Sequence, residues 1–276
     1  MQEHETEVQH RREVSTGNRF AFGKNWLSFI ETVDEEKIAA ATESMREFLA
    51  VDSLDNKSLL DIGSGSGLFS LAAVLLGAQV TSTDYDADSV HTTKLMRDRH
   101  YDGNHNRWRV IQSSVLDAEA MQSLGTFDYV YSWGVLMLTG DMRLAISNAA
   151  DRVSPGGVLA ISIYVETPMC SRWKRIKHFY CRSHRAIQIP MGFAFFLLTA
   201  VRQTFRGPYR SIRGMSRYHD AIDWLGGYPY ESASKSQVVK LVGDKFRLDV
   251  ARHTEPSRGF FGSGCAEYIF VRKDSH

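Results

Sequence analysis

The stretch that most constrains the fold is 58–86, SLLDIGSGSGLFSLAAVLLGAQVTSTDYD. Ser58–Ile62 is a short apolar run of the kind that forms a buried parallel strand. Gly63, Gly65 and Gly67 follow with Ser64 and Ser66 between them, a tight turn whose backbone can approach a ligand closely. Residues 68–76 have the apolar density of a helix packed on a sheet, and Gly77 suits the left-handed end of that helix. Residues 78–83 predict a second strand, with Asp84 at its end. Strand, glycine turn, helix and acid-tipped strand together predict a nucleoside-binding βαβ unit.

Charge selects the nucleoside. A dinucleotide places its pyrophosphate at the helix N-terminus, but here Asp61 stands two residues before Gly63, where a carboxylate repels phosphate and attracts a cation. The third glycine also follows the second by two residues rather than three. S-adenosylmethionine has no phosphate and carries an ammonium and a sulfonium, so it fits. Asp84 is positioned to accept hydrogen bonds from both ribose hydroxyls.

DIGSGSG followed by TSTDYD resembles the donor-binding half of the class I S-adenosylmethionine-dependent methyltransferases, and most resembles the bacterial small-molecule branch that includes the quinone-biosynthesis O-methyltransferases. The likeness is clear over 59–164 and looser beyond. It implies a Rossmann-like α/β fold: seven mostly parallel strands in the order 3-2-1-4-5-7-6, with helices on both faces. It also implies that the loop after the third strand, at Ser114 and Val115, contacts the adenine through backbone N–H groups. Many members carry an acid near Ser114, where this chain has a serine. Related enzymes often carry one or two histidines where this chain has Met137 and Leu138, which removes a general base from that loop and suits a hydrophobic acceptor.

Along the chain, residues 1–19 are polar and charged without an apolar run, and are expected to form a disordered tail rather than a signal peptide. Residues 20–276 form the methyltransferase domain. In RFAFGKNW (19–26) the aromatics either plug the next helix onto the sheet or form a lid over the donor; Trp26 is the candidate face for the sulfonium. Helices are expected at 34–50, 86–101, 118–124, 141–153 and 234–245, and further strands at Trp108–Gln112, Phe127–Trp133, 158–164, 246–253 and 267–272. Tyr85 either lies against the adenine or is a plain turn residue. Asp117 either bonds the adenine amino group or caps a helix. Ser132, at the end of a strand, is expected to open beside the methyl group. Cys170, Cys181 and Cys265 have no metal-like spacing, and no metal site is expected.

The chain carries 33 Lys and Arg against 32 Asp and Glu, yet between Thr167 and His219 there are eleven Lys or Arg and no acid. Residues 167–230 are therefore expected to form a basic helical cap inserted after the fifth strand. Inside it, 186–201 is apolar. As a helix that stretch spans ~24 Å, short of a bilayer core of ~30 Å, and Pro190 and Gly192 are expected to interrupt it. The cap either covers the acceptor pocket or lies through 172–217 on an anionic membrane surface, with Arg182, Arg185, Arg202 and Arg206 toward the head groups. Nucleic acid ranks lower as a partner, with Trp173, Phe179 and Tyr180 as stacking candidates.

In RYHDAIDWLGGYPYE (217–231), His219 is the candidate general base, with Asp220 or Asp223 orienting it; an aromatic-rich return into the sheet is the competing account. Residues 259–265 form a glycine-rich loop that either borders the acceptor or is a plain hairpin. The reading is a cytoplasmic S-adenosylmethionine-dependent enzyme, in contact with the inner membrane surface on the membrane alternative. It transfers a methyl group in line to an oxygen of a small-molecule, glycan or isoprenoid-linked acceptor. An RNA methyltransferase, an N- or C-methyltransferase and a non-enzymatic donor-binding module remain open.

Overall fold

The computed structural model describes residues 2–204, 217–255 and 264–274. The chain opens with helices α1 (Gln2–Ser15), α2 (Phe22–Ile30) and α3 (Glu35–Leu49). Strands and helices then alternate: β1 (Ser58–Ile62), α4 (Leu68–Leu75), β2 (Gln79–Asp84), α5 (Ala87–His100), β3 (Trp108–Gln112), α6 (Ala118–Ser123), β4 (Phe127–Trp133), α7 (Met142–Ala150) and β5 (Val153–Tyr164). Next come helices α8 (Cys170–Arg182), α9 (Arg185–Thr204), α10 (Arg217–Gly226) and α11 (Lys235–Val242), and then strands β6 (Phe246–Arg252) and β7 (Cys265–Arg272).

The seven strands form one sheet in the order β3-β2-β1-β4-β5-β7-β6, as the family resemblance implies. β1 runs parallel to β2 and β4, and β7 runs antiparallel to both β5 and β6. The order reverses between β1 and β4. In open sheets that reversal parts the loops at the carboxyl ends of the strands and leaves a crevice. The two faces carry separate apolar cores. One gathers Leu59, Leu71, Val80 and Trp108 under α3, α4 and α5; the other gathers Leu60, Val130, Leu159 and Phe270 under α7, α11 and the cap.

The helices start where short acids or serines satisfy the first free N–H groups. Asp34 accepts from the Lys37 N–H, Asp86 from Asp88, Asp117 from Ala120 and Asp141 from Leu144. Ser234 and Gln237 close a reciprocal capping box on α11.

Three sequence expectations are corrected. First, residues 2–15 are not a disordered tail but helix α1. Its Arg11–Glu7 pair is spaced i,i+4, and His10 is buried edge-on against Tyr85, with ring centroids 5.1 Å apart. Second, α9 passes unbroken through Pro190. The proline sits in the helix's second turn, so it forfeits one bond, to the Ala186 carbonyl. Gly192 does not break α9 either; a Cβ there would stand 2.5 Å from Ile222 Cδ1, so the glycine is what lets α9 approach α10. Third, the expected helix 141–153 ends at Ala150, and β5 begins at Val153, before the Pro155-Gly156-Gly157 turn. Arg206 and the side chain of Arg202 lie outside the described residues, as do residues 259–263 of the 259–265 loop.

Candidate functional site

A cavity of about 740 Å³ opens at the carboxyl ends of β1, β2 and β4. Its floor is the glycine turn. Gly63 and Ser64 donate their N–H groups to the Thr83 carbonyl at 2.8 and 3.1 Å, which ties the turn to the end of β2. Asp84 completes the tie: its Oδ2 accepts the Gly65 N–H at 2.9 Å and its Oδ1 accepts the Asp86 N–H at 2.9 Å. Gly63 (φ +78°) and Gly65 (φ +55°) both lie in the left-handed region, and a Cβ on Gly65 would sit 2.9 Å from Trp26 Nε1.

Acidic charge gathers here. Asp61 is 2 % exposed, and burial raises it to about 6. Its Oδ2 ends a directed chain in which Trp108 Nε1 donates to Ser82 (2.8 Å), Ser82 lies 2.7 Å from Ser70, and Ser70 donates to Asp61 (2.5 Å). Burial, helped by neighbouring Asp86, raises Asp84 to about 7. Two carboxylates held this high gain from a cation in the cavity, since a nearby positive charge favours their ionised forms.

The cavity is also lined by Asp84, Tyr85, Ser114, Val115 and α1. Tyr85 is not open on both faces: the Arg19 guanidinium lies over its ring, 5.0 Å from the centroid, and His10 meets it edge-on. Arg19 is itself fixed by Glu13 (2.8 Å) and by the Leu138 and Thr139 carbonyls (both 3.0 Å). Asp117 caps α6 and also lines the cavity, so its two expected roles are compatible. Trp133, Tyr164 and Trp224 line the same cavity, as do Leu138, Asp220, Asp223 and Cys265.

Most sequence candidates meet at this cavity: Trp26, Asp61, Gly63, Ser64, Gly65, Asp84, Tyr85, Ser114, Val115 and Asp220 all line it. Three do not. Gly67 starts α4 at φ +80° and faces Thr93, whose Cα would lie 2.9 Å from an added Cβ, so it serves helix packing. Ser132 is fully buried and donates to the Ile62 carbonyl at 2.9 Å, because strand alternation turns it into the sheet. His219, the candidate base, is also buried away from the cavity. Its Nε2 lies 3.4 Å from Ser28 Oγ and its ring packs edge-on to Phe29, while burial lowers its pKa.

The α1 residues and Cys265 were not found from sequence. Cys265 reaches the cavity because it pairs with Tyr164 across β5 and β7, a register that the 259–265 loop hides. The Glu7–Arg11 spacing was the available signal for α1.

Residues 60–159 match the family described as "Methyltransferase domain". Ribosomal protein L11 methyltransferase of Prochlorococcus marinus is 33% identical over 128 residues, covering 41% of this chain and 42% of that protein. Ubiquinone biosynthesis O-methyltransferase of Xanthomonas campestris pv. campestris is 33% identical over 121 residues, covering 42% of this chain and 46% of that one. The chain thus spans less than half the length of these curated relatives. Among solved structures, magnesium protoporphyrin IX methyltransferase of Synechocystis with bound S-adenosylhomocysteine aligns over 87% of this chain and 89% of its own, at 18% identity and TM-score 0.51. An N-methyltransferase of Bradyrhizobium japonicum, also with S-adenosylhomocysteine, aligns over 84% and 85% at 14% identity and TM-score 0.50.

The sheet order and the acid-tipped glycine turn give the chain the fold of the class I S-adenosylmethionine-dependent methyltransferases, and residues 60–159 carry the methyltransferase domain match. S-adenosylmethionine is the methyl donor of that class, and the two aligned structures hold its product S-adenosylhomocysteine.

Proposed function

We propose that the protein transfers a methyl group from S-adenosylmethionine to an oxygen of a hydrophobic, lipid-linked acceptor. The matched relatives are named for both protein and small-molecule acceptors, so the acceptor class is argued from the cavity. One observation carries the reading: the donor cradle at Asp61, Gly65 and Asp84 and the aromatic walls at Trp133, Tyr164 and Trp224 line one continuous cavity. Donor and acceptor held in one cavity can be aligned for in-line attack, and such alignment lowers the barrier by several kcal/mol. Asp84 is suited to the ribose hydroxyls, and Asp61 to the ammonium.

The cap supports the lipid-linked part. Ile189, Phe193, Leu197 and Val201 recur every fourth residue along α9 and are 45–67% exposed, a single apolar row on the surface. Phe179 on α8 adds to it at 57%. Between Thr167 and His219 the chain carries eleven Lys or Arg and no acid, so the surface this row fits is an anionic membrane. Among the described residues no helix is long and apolar enough to cross a membrane, so the contact would be peripheral. Of the three stacking candidates of the nucleic-acid reading, Trp173 and Tyr180 are each only 2% exposed, which leaves Phe179 alone as a platform.

Incubating the protein with methyl-labelled S-adenosylmethionine and fractionated cell extract tests the proposal. Label should enter an organic-soluble pool as an alkali-stable ether. Label in RNA or protein alone would overturn the acceptor class.

A further inference from the structure

Behind the cavity lies a buried lysine that the donor does not need. Lys177, on α8, is fully buried. Its ammonium donates to the Trp224 carbonyl at the end of α10 and lies 3.8 Å from the Trp224 ring centroid, 5.1 Å from that of Tyr230 and 5.5 Å from that of Tyr164. A Cβ on Gly227 would stand 3.0 Å from Nζ, so the glycine leaves room for the lysine. A cation over the last carbonyls of α10 also answers that helix's negative end. Lys177 therefore pins α10, and α10 presents Asp220, Asp223 and Trp224 to the cavity.

Asp223 differs from its neighbours. Its Oδ1 is buried, has no hydrogen-bond partner among the described residues, and belongs to a residue lining the cavity together with Tyr164 and Trp224. A buried carboxylate oxygen without a donor is costly unless something else supplies one. A hydroxyl of the acceptor would be such a donor. His219 does not reach this space, and the Met137–Leu138 segment provides no base.

We infer that Asp223 is the group that receives the acceptor's proton, with Lys177 as its positioning residue, and that the acceptor presents a hydroxyl on a planar ring between Trp133, Tyr164 and Trp224. This rests on the methyl-transfer reading above. As the hydroxyl oxygen forms its bond to the methyl carbon, the carbon–sulfur bond breaks and its electron pair stays on sulfur, giving S-adenosylhomocysteine. The O–H proton passes to Asp223 Oδ1.

The charge balance supports the role. Burial raises Asp223 to about 7, with Asp220 adding to the rise and Lys177 opposing it. Burial lowers Lys177 to about 7, opposed by Asp223, Cys181 and Cys265. From β5, Tyr164 faces the same pair, its hydroxyl driven well above its ordinary range by burial. A base with a pKa near the working pH is the kind that transfers protons most effectively.

Two readouts on the full-length protein test this. In the first, aspartate carboxyl-labelled protein is titrated by 13C NMR, with the Asp223 resonance assigned by its loss in Asp223→Asn. A midpoint near pH 7 is expected; a midpoint below 5 overturns the proposal without reference to any acceptor. In the second, labelled S-adenosylmethionine and fractionated extract are used with wild type, Asp223→Asn and Asp223→Glu. Labelling should fall about a hundredfold or more in Asp223→Asn, with donor binding by calorimetry unchanged, and recover in part in Asp223→Glu. Labelling by Asp223→Asn at the wild-type rate overturns the proposal. If wild type binds the donor but labels no pool, the transferase reading fails and this proposal with it; labelling by wild type together with an Asp223 midpoint below 5 overturns this proposal alone. For Lys177, Lys177→Met should displace the pH–rate midpoint; an unmoved midpoint reduces it to a packing residue.

Discussion

Asp84 Oδ2 accepts the backbone N–H of Gly65 at 2.9 Å, so the end of one strand holds open the glycine turn of its neighbour. The same carboxyl faces the cavity, which makes it both a brace and a ligand for a nucleoside. Substituting Asp84→Ala removes both functions. Donor affinity measured by calorimetry should fall at least about a hundredfold, since two charge-assisted hydrogen bonds are lost.

Two glycines in the turn should separate binding from folding. Gly65→Ala places a methyl 2.9 Å from Trp26 Nε1, at the cavity surface. It should weaken donor binding with a modest change in Tm. Gly67→Ala pushes a methyl against the Thr93 backbone, 2.9 Å away, at φ +80°. It should lower Tm by several degrees, the response to a loss of roughly 1–3 kcal/mol. The reverse ranking would mean that the cradle is assigned to the wrong glycine.

Asp61 is expected to cost stability in the absence of donor. Its folded pKa is raised to about 6, so the native state binds more protons than the unfolded state between about pH 4 and 6, and stability falls as pH rises through that window. Asp61→Asn retains an acceptor for Ser70 and removes the charge. It should raise the Tm of the ligand-free protein at pH 8, reflecting a stability gain on the order of 3 kcal/mol at most, and the gain should vanish near pH 4. Thermal scans across that range check it, and donor binding should weaken in the same variant.

His219→Ala should leave donor affinity unchanged, because the ring packs on Phe29 and Ser28 away from the cavity. The expected effect is a loss of about 1–3 kcal/mol in a denaturant titration. Deletion of residues 1–17, in contrast, should weaken donor binding about tenfold, since α1 lines the cavity beside Tyr85 and supplies Glu13 to Arg19. Equal donor affinity with and without this segment would make α1 a passive cover.

The sheet and the donor cradle were legible because both are local. Alternating apolar runs set the strands, and DIGSGSG with Asp84 lies within one βαβ unit. The acceptor end was not legible, because it is assembled from distant pieces. Tyr164 and Cys265 meet through strand pairing across a hundred residues, and Asp223 faces the cavity because Lys177 holds α10 from another helix. His219 looked like a base because its residue type suits the role, but helix phase turns it toward Phe29 while Asp220 and Asp223 face the cavity. Residues 1–19 looked disordered because their apolar content is low; α1 is held by buried His10 and by Arg19, which composition does not reveal.

The central claim is that the cavity holds a phosphate-free, cationic nucleoside. Calorimetry of the wild-type protein with S-adenosylmethionine, with NAD as the competitor, tests it most directly. The account predicts saturable heat with S-adenosylmethionine that Asp84→Ala abolishes, and none with NAD. Binding of NAD, or no heat with S-adenosylmethionine, would contradict it.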